Sequence, residues 1–557
     1  MPFYFLLLKK YKEYELKKRR IKLHEIWTKK KKRRIELSVI KTLYNRISEK
    51  ETGERKDNAS RENLFVDDQT WQDLNLDEVY TGMDYTLTSP GESVLYNILR
   101  SPLYNIGDIV KRDTIISGFQ EDKNKREAVG LELLKLGYQN DNSLVELLWS
   151  ELPDSTPFGF LFTLLAFIAF LVILSFFFYG GISFLYLFFI MSLNMIIIHN
   201  FKKTYLNELP VESISYLVSL IKTAGRISSL DIDIIKEYRE ELKDLVKRTR
   251  PLTRKISFLI PRNSNSDLDF LMEYINILFL LEIRNFNSAL TEMKKNQDEL
   301  KKIYGPIGEI DVFLALVSYR DSLKYYCTPE IEENQEKREL EIKQVFHPLL
   351  EEPVPNSITM KNQGVIITGS NMAGKSTFLR TVGLCVLMAQ TISTCPARSY
   401  RGVLLRIISS ISRTDSIVAG KSFYFAEAER LLQLIRTVDC EIPSLCIIDE
   451  LLAGTNSLER LYASQEILNY LYKNNVLSII ATHDLDLADK LKDKYSLFHF
   501  TDNVAKDGLH FDYTMKEGIA TTVNAIKLLE YLDYPAEITD RAMEQIVSKK
   551  AGLRGKE

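Results

Sequence analysis

The sequence predicts an α + α/β protein: a helical part interrupted by a helical hairpin of membrane-spanning length, followed by an α/β domain of the P-loop (ABC) type. Three observations predict it. Residues 158–198 carry no charged side chain. From Asn207 to about Lys343, apolar residues recur at helical spacing between long charged faces. From Val345 onward, short apolar runs alternate with helical segments, and one of them runs into Gly369–Thr377, GSNMAGKST.

At 557 residues the chain exceeds one ordinary core, so two to four folding units are expected. With 45% hydrophobic and 27% charged residues, global disorder is excluded. Charge is unevenly placed. Residues 1–35 hold 14 Lys/Arg against Glu13, Glu15 and Glu25, a local +11, which leaves −13 on the rest of a chain whose total is −2. A basic arm on an acidic body suits an anionic surface, phospholipid or nucleic acid. A solvated, partly helical tail is the competing reading. The five cysteines are odd in number and form no CxxC pair, so neither a disulfide framework nor a zinc site is expected, in keeping with a reducing cytosol. The apolar run Phe3–Leu8 is too short for a signal peptide, and its basic residues follow rather than precede it.

In chain order, residues 1–64 read as the basic arm and a polar linker, Ser48–Asn63. Trp71–Leu103 alternates short helical faces with a Thr-Ser-Pro-Gly turn at Thr88–Gly91, within a first helical segment, 65–150. Within 151–200, Phe158–Tyr179 is 22 uncharged residues, Gly180-Gly181 interrupts, and Ile182–Ile198 adds 17 more. The pair is expected to cross a membrane and return, because soluble core helices rarely lack a polar face. Both soluble parts then share one side, and Lys202, Lys203 and the basic arm place that side in the cytoplasm. Residues 201–335 continue the helical part. There Ile234–Lys255 bears a basic stripe interleaved with Glu237, Glu240, Glu241 and Asp244, which reads equally as a phosphate contact or a solvated face. Pro251 is expected to end or bend that helix. The α/β domain occupies 336–557.

In that domain the strand Val365–Ile367 precedes the loop Gly369, Ser370, Asn371, Met372, Ala373, Gly374, Lys375, Ser376, Thr377, and a helix follows. Glycines turn backbone N–H groups onto phosphate oxygens, and the helix N-terminus adds positive potential. Lys375 is expected at the β and γ phosphates and the Ser376 hydroxyl on Mg²⁺. The strand Ser444–Glu450 ends in two carboxylates: Asp449 for Mg²⁺ and Glu450 to orient or deprotonate the attacking water. The strand Val476–Ala481 ends in Thr482-His483-Asp484, where His483 can sense or stabilise the γ-phosphate. No NKxD-type guanine selector is present, so ATP is the expected nucleotide. Asp415–Glu427, DSIVAGKSFYFAE, holds a second Gly-Lys-Ser turn whose Ser422 is spare within one subunit. It gains a role if two such domains face each other and exchange it, hence an expected ATP-dependent homodimer.

The run Thr368–Arg380, TGSNMAGKSTFLR, resembles the TGPNMxGKSTxxR loop of the MutS proteins of DNA mismatch repair, with Ser370 at the usual proline. The resemblance extends to Phe346–Leu350, Val354–Asn356, Asp415–Glu427, Ile448–Glu459, ATHD and Gly518–Ile538. Outside the ATPase, Leu76–Leu103 resembles the start of that family's core or lever domain, and Gly305–Ile331 its end. The resemblance implies an ATPase using ATP and Mg²⁺, with helical levers enclosing DNA. Residues 1–70 hold no Phe-x-Glu wedge motif, and the apolar hairpin sits inside the lever region, so motor and lever are implied rather than the mismatch reader. Two alternatives stay open: a membrane-bound ATPase acting on proteins or lipid, and a non-hydrolysing scaffold.

Overall fold

The computed structural model describes residues 2–29, 39–41, 44, 64–139, 143–150, 152, 159–203, 211–256, 267–334, 336, 338–370, 373–411, 423–436, 442–474, 476–505, 508–519, 529, 532 and 534–554. The first described helices are α1 (Pro2–Thr28), α2 (Asp68–Asp73), α3 (Leu76–Met83), α4 (Ser89–Arg100), α5 (Ile106–Glu121), α6 (Lys123–Leu136) and α7 (Ser143–Trp149). Next come α8 (Gly159–Tyr179), α9 (Ile182–Phe201), α10 (Val211–Ser228), α11 (Lys236–Ile256), α12 (Asp267–Phe279), α13 (Leu281–Lys295) and α14 (Gln297–Ser322). The strands β1 (Glu330–Ile331), β2 (Glu339–Val345), β3 (Asn356–Lys361) and β4 (Gly364–Thr368) precede α15 (Lys375–Ile392). Then follow β5 (Ser399–Gly402), β6 (Arg406–Ser410), α16 (Phe423–Arg436), β7 (Ser444–Asp449), α17 (Ser457–Lys473), β8 (Leu477–Thr482) and α18 (Leu485–Lys490). The last are β9 (Tyr495–Ala505), β10 (Gly508–Glu517) and α19 (Ala536–Arg554). The chain forms two compact units, one of Met1–Asn58, Met83–Asn97 and Thr114–Tyr319, the other of Ala59–Gly82, Ile98–Asp113 and Arg320–Glu557.

In the first, helical unit, the second half of the basic arm is docked rather than solvated. Leu23 and Trp27 of α1 are buried, and Trp27 lies against Gly130 of α6, where a Cβ would come within 2.7 Å of the indole. The Arg126 guanidinium stacks 4.2 Å from the Trp27 ring and donates to Ser318 Oγ, so an aromatic face and a hydroxyl share one cation. Arg20 pairs with Glu127 at 2.6 Å. The Thr-Ser-Pro-Gly stretch is the entry to α4, not a free turn: Gly91 N donates to Thr88 Oγ1, and Pro90 sits in the first turn, where its missing N–H costs nothing. The buried Asp311 carboxylate accepts from Leu87 N (3.0 Å) and Thr88 Oγ1 (2.6 Å), tying α14 to this entry. Asp311→Ala strands both donors, and urea denaturation of the variant is expected to show a loss of about 3 kcal/mol.

The apolar hairpin is α8 and α9, turned at Gly180, whose φ of 56° favours glycine. Both helices are long and apolar enough to cross a membrane. Their apolar side chains point outward in numbers, Phe160 at 81% exposure and Phe178 at 84%. The buried Asn194 amide of α9 donates to the carbonyls of Ile277 and Leu278 at 2.8 and 3.0 Å, satisfying orphan acceptors where α12 ends. The helix α11 continues through Pro251 to Ile256, so of the expected end or bend, the end does not occur there. Proline removes one main-chain hydrogen bond, and the stretch stays helical because its flanks are held: Leu252 is buried, and Thr249 and Thr253 hydroxyls bond back into the helix.

The second unit contains two sheets. The larger has the order β10-β9-β4-β8-β7-β6, parallel except for the β9–β10 pair. Strands β4 and β8 are buried along their whole length, as expected for parallel strands covered on both faces. The smaller sheet runs β1-β5-β2-β3. The short helix α2 belongs to this unit. Its Asp73 accepts from Ser409 Oγ (2.6 Å) and Ile411 N (2.9 Å) at β6, and Arg430 of α16 pairs with its cap, Asp67, at 3.0 Å.

Candidate functional site

Ligands of open α/β sheets bind beyond the carboxyl ends of the strands. Here β4, β8 and β7 are neighbours, in register at Thr368 with Thr482 and Asp449 with Ala481. Their C-terminal ends therefore bring together the three segments singled out in the sequence.

After β4 the chain turns at Gly369, with φ 136°, where a Cβ would fall 2.6 Å from the Phe500 carbonyl oxygen. Gly374, with φ 101°, opens α15. Both turns need glycine. Lys375 is 1% exposed, and its Nζ donates to the carbonyls of Gly369 (2.6 Å) and Ser370 (2.8 Å), across the loop it closes. The Ser370 hydroxyl is buried and has no hydrogen-bond partner among the described residues. Ala373 is buried and Thr377 exposed, while Asn371 and Met372 lie outside the described residues.

Ser376 Oγ donates to Asp449 Oδ2, so a hydroxyl from the start of α15 meets a carboxylate from the end of β7. Glu450 follows in the left-handed region, φ 59°, with its N–H donated to Ala481 O at 2.9 Å. That backbone turn separates the two carboxylates: Asp449 faces the loop, and Glu450 Oε1 meets His483 Nε2 at 2.9 Å. His483 stands just after β8, and the neighbouring Asp484 caps α18 by accepting from Leu487 N. Lys375, Ser376, Asp449, Glu450 and His483 are thus gathered at one sheet end. Ser422 lies outside the described residues, immediately before α16.

Beside the loop lies a cavity of about 440 Å³ that the motif reading did not foresee. Gly374, Ser376 and Thr377 form its loop side, and Phe346, His347, Pro353, Phe500 and Tyr513 supply aromatic and apolar walls. The signal was in the sequence, because Phe346-His347-Pro348 stands just after a strand, but its spacing from the loop carries no pattern of its own. Burial, aided by the Arg380 guanidinium, pushes the His347 imidazole down to about 4, so the cavity presents a neutral ring at pH 7. The unfolded chain takes up this proton near pH 6.5 and the folded chain only near 4, so His347 withdraws stability as pH falls through that window. Between pH 7 and 5 the loss is about 2 kcal/mol. Urea denaturation at both pH values is expected to show this dependence in the parent and its reduction in His347→Gln.

The residues present fit a nucleotide and a hard divalent cation: a loop ringing an ammonium, a hydroxyl and a carboxylate in contact, and an apolar cavity next door. Residues 365–549 match the family described as MutS domain V. The chain is 30% identical over 323 residues to the DNA mismatch repair protein MutS of Thermotoga petrophila, covering 56% of this chain and 40% of that protein. It is 25% identical over 330 residues to the protein of the same name from Thermus thermophilus, covering 58% and 39%. With the one from Desulfatibacillum aliphaticivorans it shares 30% identity over 279 residues, 47% and 31%. The chain thus spans 31–40% of the length of these curated relatives.

Proposed function

Since this chain belongs to the MutS family by its domain V, we propose that its second unit hydrolyses ATP and uses the cycle to open and close a homodimer. The observation that carries the reading is the convergence of Lys375, the Ser376–Asp449 pair and the Glu450–His483 pair at the ends of three adjacent parallel strands.

Lys375 exchanges its two loop carbonyls for phosphate oxygens, a charge-assisted contact that replaces neutral acceptors. Ser376 and Asp449 would hold Mg²⁺, which would screen the charge of the phosphate oxygens. Glu450 orients a water and takes its proton, and His483 fixes the rotamer of that carboxylate. The walls formed by Phe346 and Tyr513 face the loop at Gly374, Ser376 and Thr377 and offer an apolar surface next to it. Ser422, supplied from the opposite subunit, completes each site, so that closure requires nucleotide.

The helical unit serves as the lever that carries this closure to DNA, in line with what the named relatives are called. The hairpin α8–α9 anchors it in a membrane with the soluble parts in the cytoplasm. The mostly exposed apolar faces support this, since a soluble core hairpin of the same composition buries them. The basic residues of α1 then lie on the side of the anionic leaflet. Steady-state hydrolysis by the full chain with Mg²⁺ tests the ATPase, and absence of turnover leaves the scaffold. Retention of homoduplex, mismatched and branched DNA at low salt, with and without ATP, tests the cargo, and failure to bind any of them returns the choice to protein or lipid. Flotation with liposomes that survives alkaline carbonate tests the anchor, and release of the chain sinks it.

A further inference from the structure

The second unit contains a cluster of three thiols that the nucleotide site does not use. Cys327 lies between α14 and β1, Cys395 follows α15, and Cys385 projects from α15 itself. Cys327 and Cys395 form an isolated antiparallel bridge: Cys327 N donates to Cys395 O at 3.0 Å, and Cys395 N donates to Cys327 O at 2.8 Å. Residues exchanging both hydrogen bonds have Cα atoms about 5.5 Å apart, inside the range a disulfide spans. The neighbouring Cys395 thiol and the main-chain N–H of Tyr400 hold the Cys327 thiol below the usual range, and burial, with Cys327 and Cys385 nearby, pushes the Cys395 thiol up. All four residues lie in the same unit.

We propose that Cys327 and Cys395 are a reversible redox pair, oxidised to a disulfide by a small hydroperoxide. Their unequal settings assign the roles. Cys327 is half-buried, so a small oxidant reaches it, whereas Cys395 and Cys385 are fully buried. The surroundings favour the Cys327 thiolate, through the Cys395 thiol and the Tyr400 N–H, while burial disfavours a thiolate at Cys395. The Cys327 thiolate attacks one peroxide oxygen. An S–O bond forms, the O–O bond breaks, and the departing hydroxide leaves as water with one proton from solvent. Cys395 then attacks the Cys327 sulfenic acid. The S–S bond forms, the S–O bond breaks, and the Cys395 proton leaves with the hydroxyl as a second water. In all, two thiols and one hydrogen peroxide give one disulfide and two waters.

Two properties follow from the setting. In a doubly hydrogen-bonded pair the Cβ atoms lie at the wide end of the cross-strand range, about 5.5 Å, against about 3.8 Å in a relaxed disulfide. The bond therefore forms under strain and is readily reduced, as a switch requires. It also clips the segment leaving α14 to the segment leaving α15, the helix that begins at Lys375. A few residues on, β1 pairs with β5 in parallel, Glu330 with Arg401, so the covalent link would sit beside an existing strand pair.

The test uses the full reduced chain, titrated with hydrogen peroxide and mapped by mass spectrometry. The expected result is the loss of two hydrogens and a Cys327–Cys395 cross-linked peptide that dithiothreitol reverses. Cys327→Ser loses the cross-link, whereas Cys385→Ser and Cys446→Ser keep it. In Cys395→Ser, dimedone captures the Cys327 sulfenic acid, which checks the first step even if that variant is less stable. A cross-link to Cys385 instead, or passage of Cys327 to sulfinic acid without a cross-link in the parent, overturns the proposal. So does a parent whose Cys327 stays reduced while other thiols oxidise.

Discussion

Replacing Lys375 with alanine is expected to weaken nucleotide binding at least 100-fold, about 3 kcal/mol, with the fold retained. The ammonium is 1% exposed, so its charge acts in a site largely emptied of water, where an ionic contact to phosphate is worth more than at the surface. Without ligand, that charge is satisfied by the Gly369 and Ser370 carbonyls, 2.6 and 2.8 Å away. Its removal therefore costs the apo protein these two hydrogen bonds in a loop at the sheet's end. Calorimetry with ATP and Mg²⁺ reads the affinity, and a melting curve checks the fold. A Lys375→Ala chain that melts like the parent and still binds ATP as tightly would show that the loop is not the phosphate cradle.

How much of this was legible in the sequence depended on whether the cause was local. The turn from β4 into α15 was legible because two positive φ angles, at Gly369 and Gly374, demand glycine, and a buried ammonium demands a lysine at one spacing. The Asp449-Glu450 and His483 positions were legible because each ends a short, mostly apolar run of the length a covered strand needs. That Glu450 and His483 would touch was not legible. It follows from β7 and β8 being neighbours, a matter of sheet order that no local pattern encodes. The docking of α2 on β6 was hidden for the same reason: Asp73 and Ser409 meet across 336 residues of chain. The basic arm was legible only in part. Its charge count described the surface of α1, while Leu23 and Trp27, two residues among many lysines, decided where the helix rests. At Pro251 the local rule was overridden by neighbours that hold the helix on both sides.

Glu450→Gln should separate binding from turnover. Glutamine keeps the length of the side chain and one carbonyl oxygen, so the 2.9 Å contact with His483 Nε2 survives if the ring nitrogen donates it. It cannot accept a proton from water. Loss of a positioned general base lowers rates by about 10²–10⁴-fold, so single-turnover hydrolysis is expected to fall in that range with ATP affinity unchanged. A dimer that hydrolysis alone reopens then accumulates, and size-exclusion chromatography with ATP and Mg²⁺ should show the variant at twice the parent's mass. His483→Ala is expected to slow hydrolysis less, because Glu450 keeps its basicity and loses only the contact that orients it. The double variant decides how the two residues act. If His483 works through the Glu450 carboxylate, adding His483→Ala to Glu450→Gln costs little more than Glu450→Gln alone. If instead the losses multiply, His483 acts on the γ-phosphate by itself, and its contact with Glu450 is incidental to the chemistry. Hydrolysis by Glu450→Gln at the parent's rate would remove the general base from this glutamate altogether, while leaving the binding role of Lys375 intact.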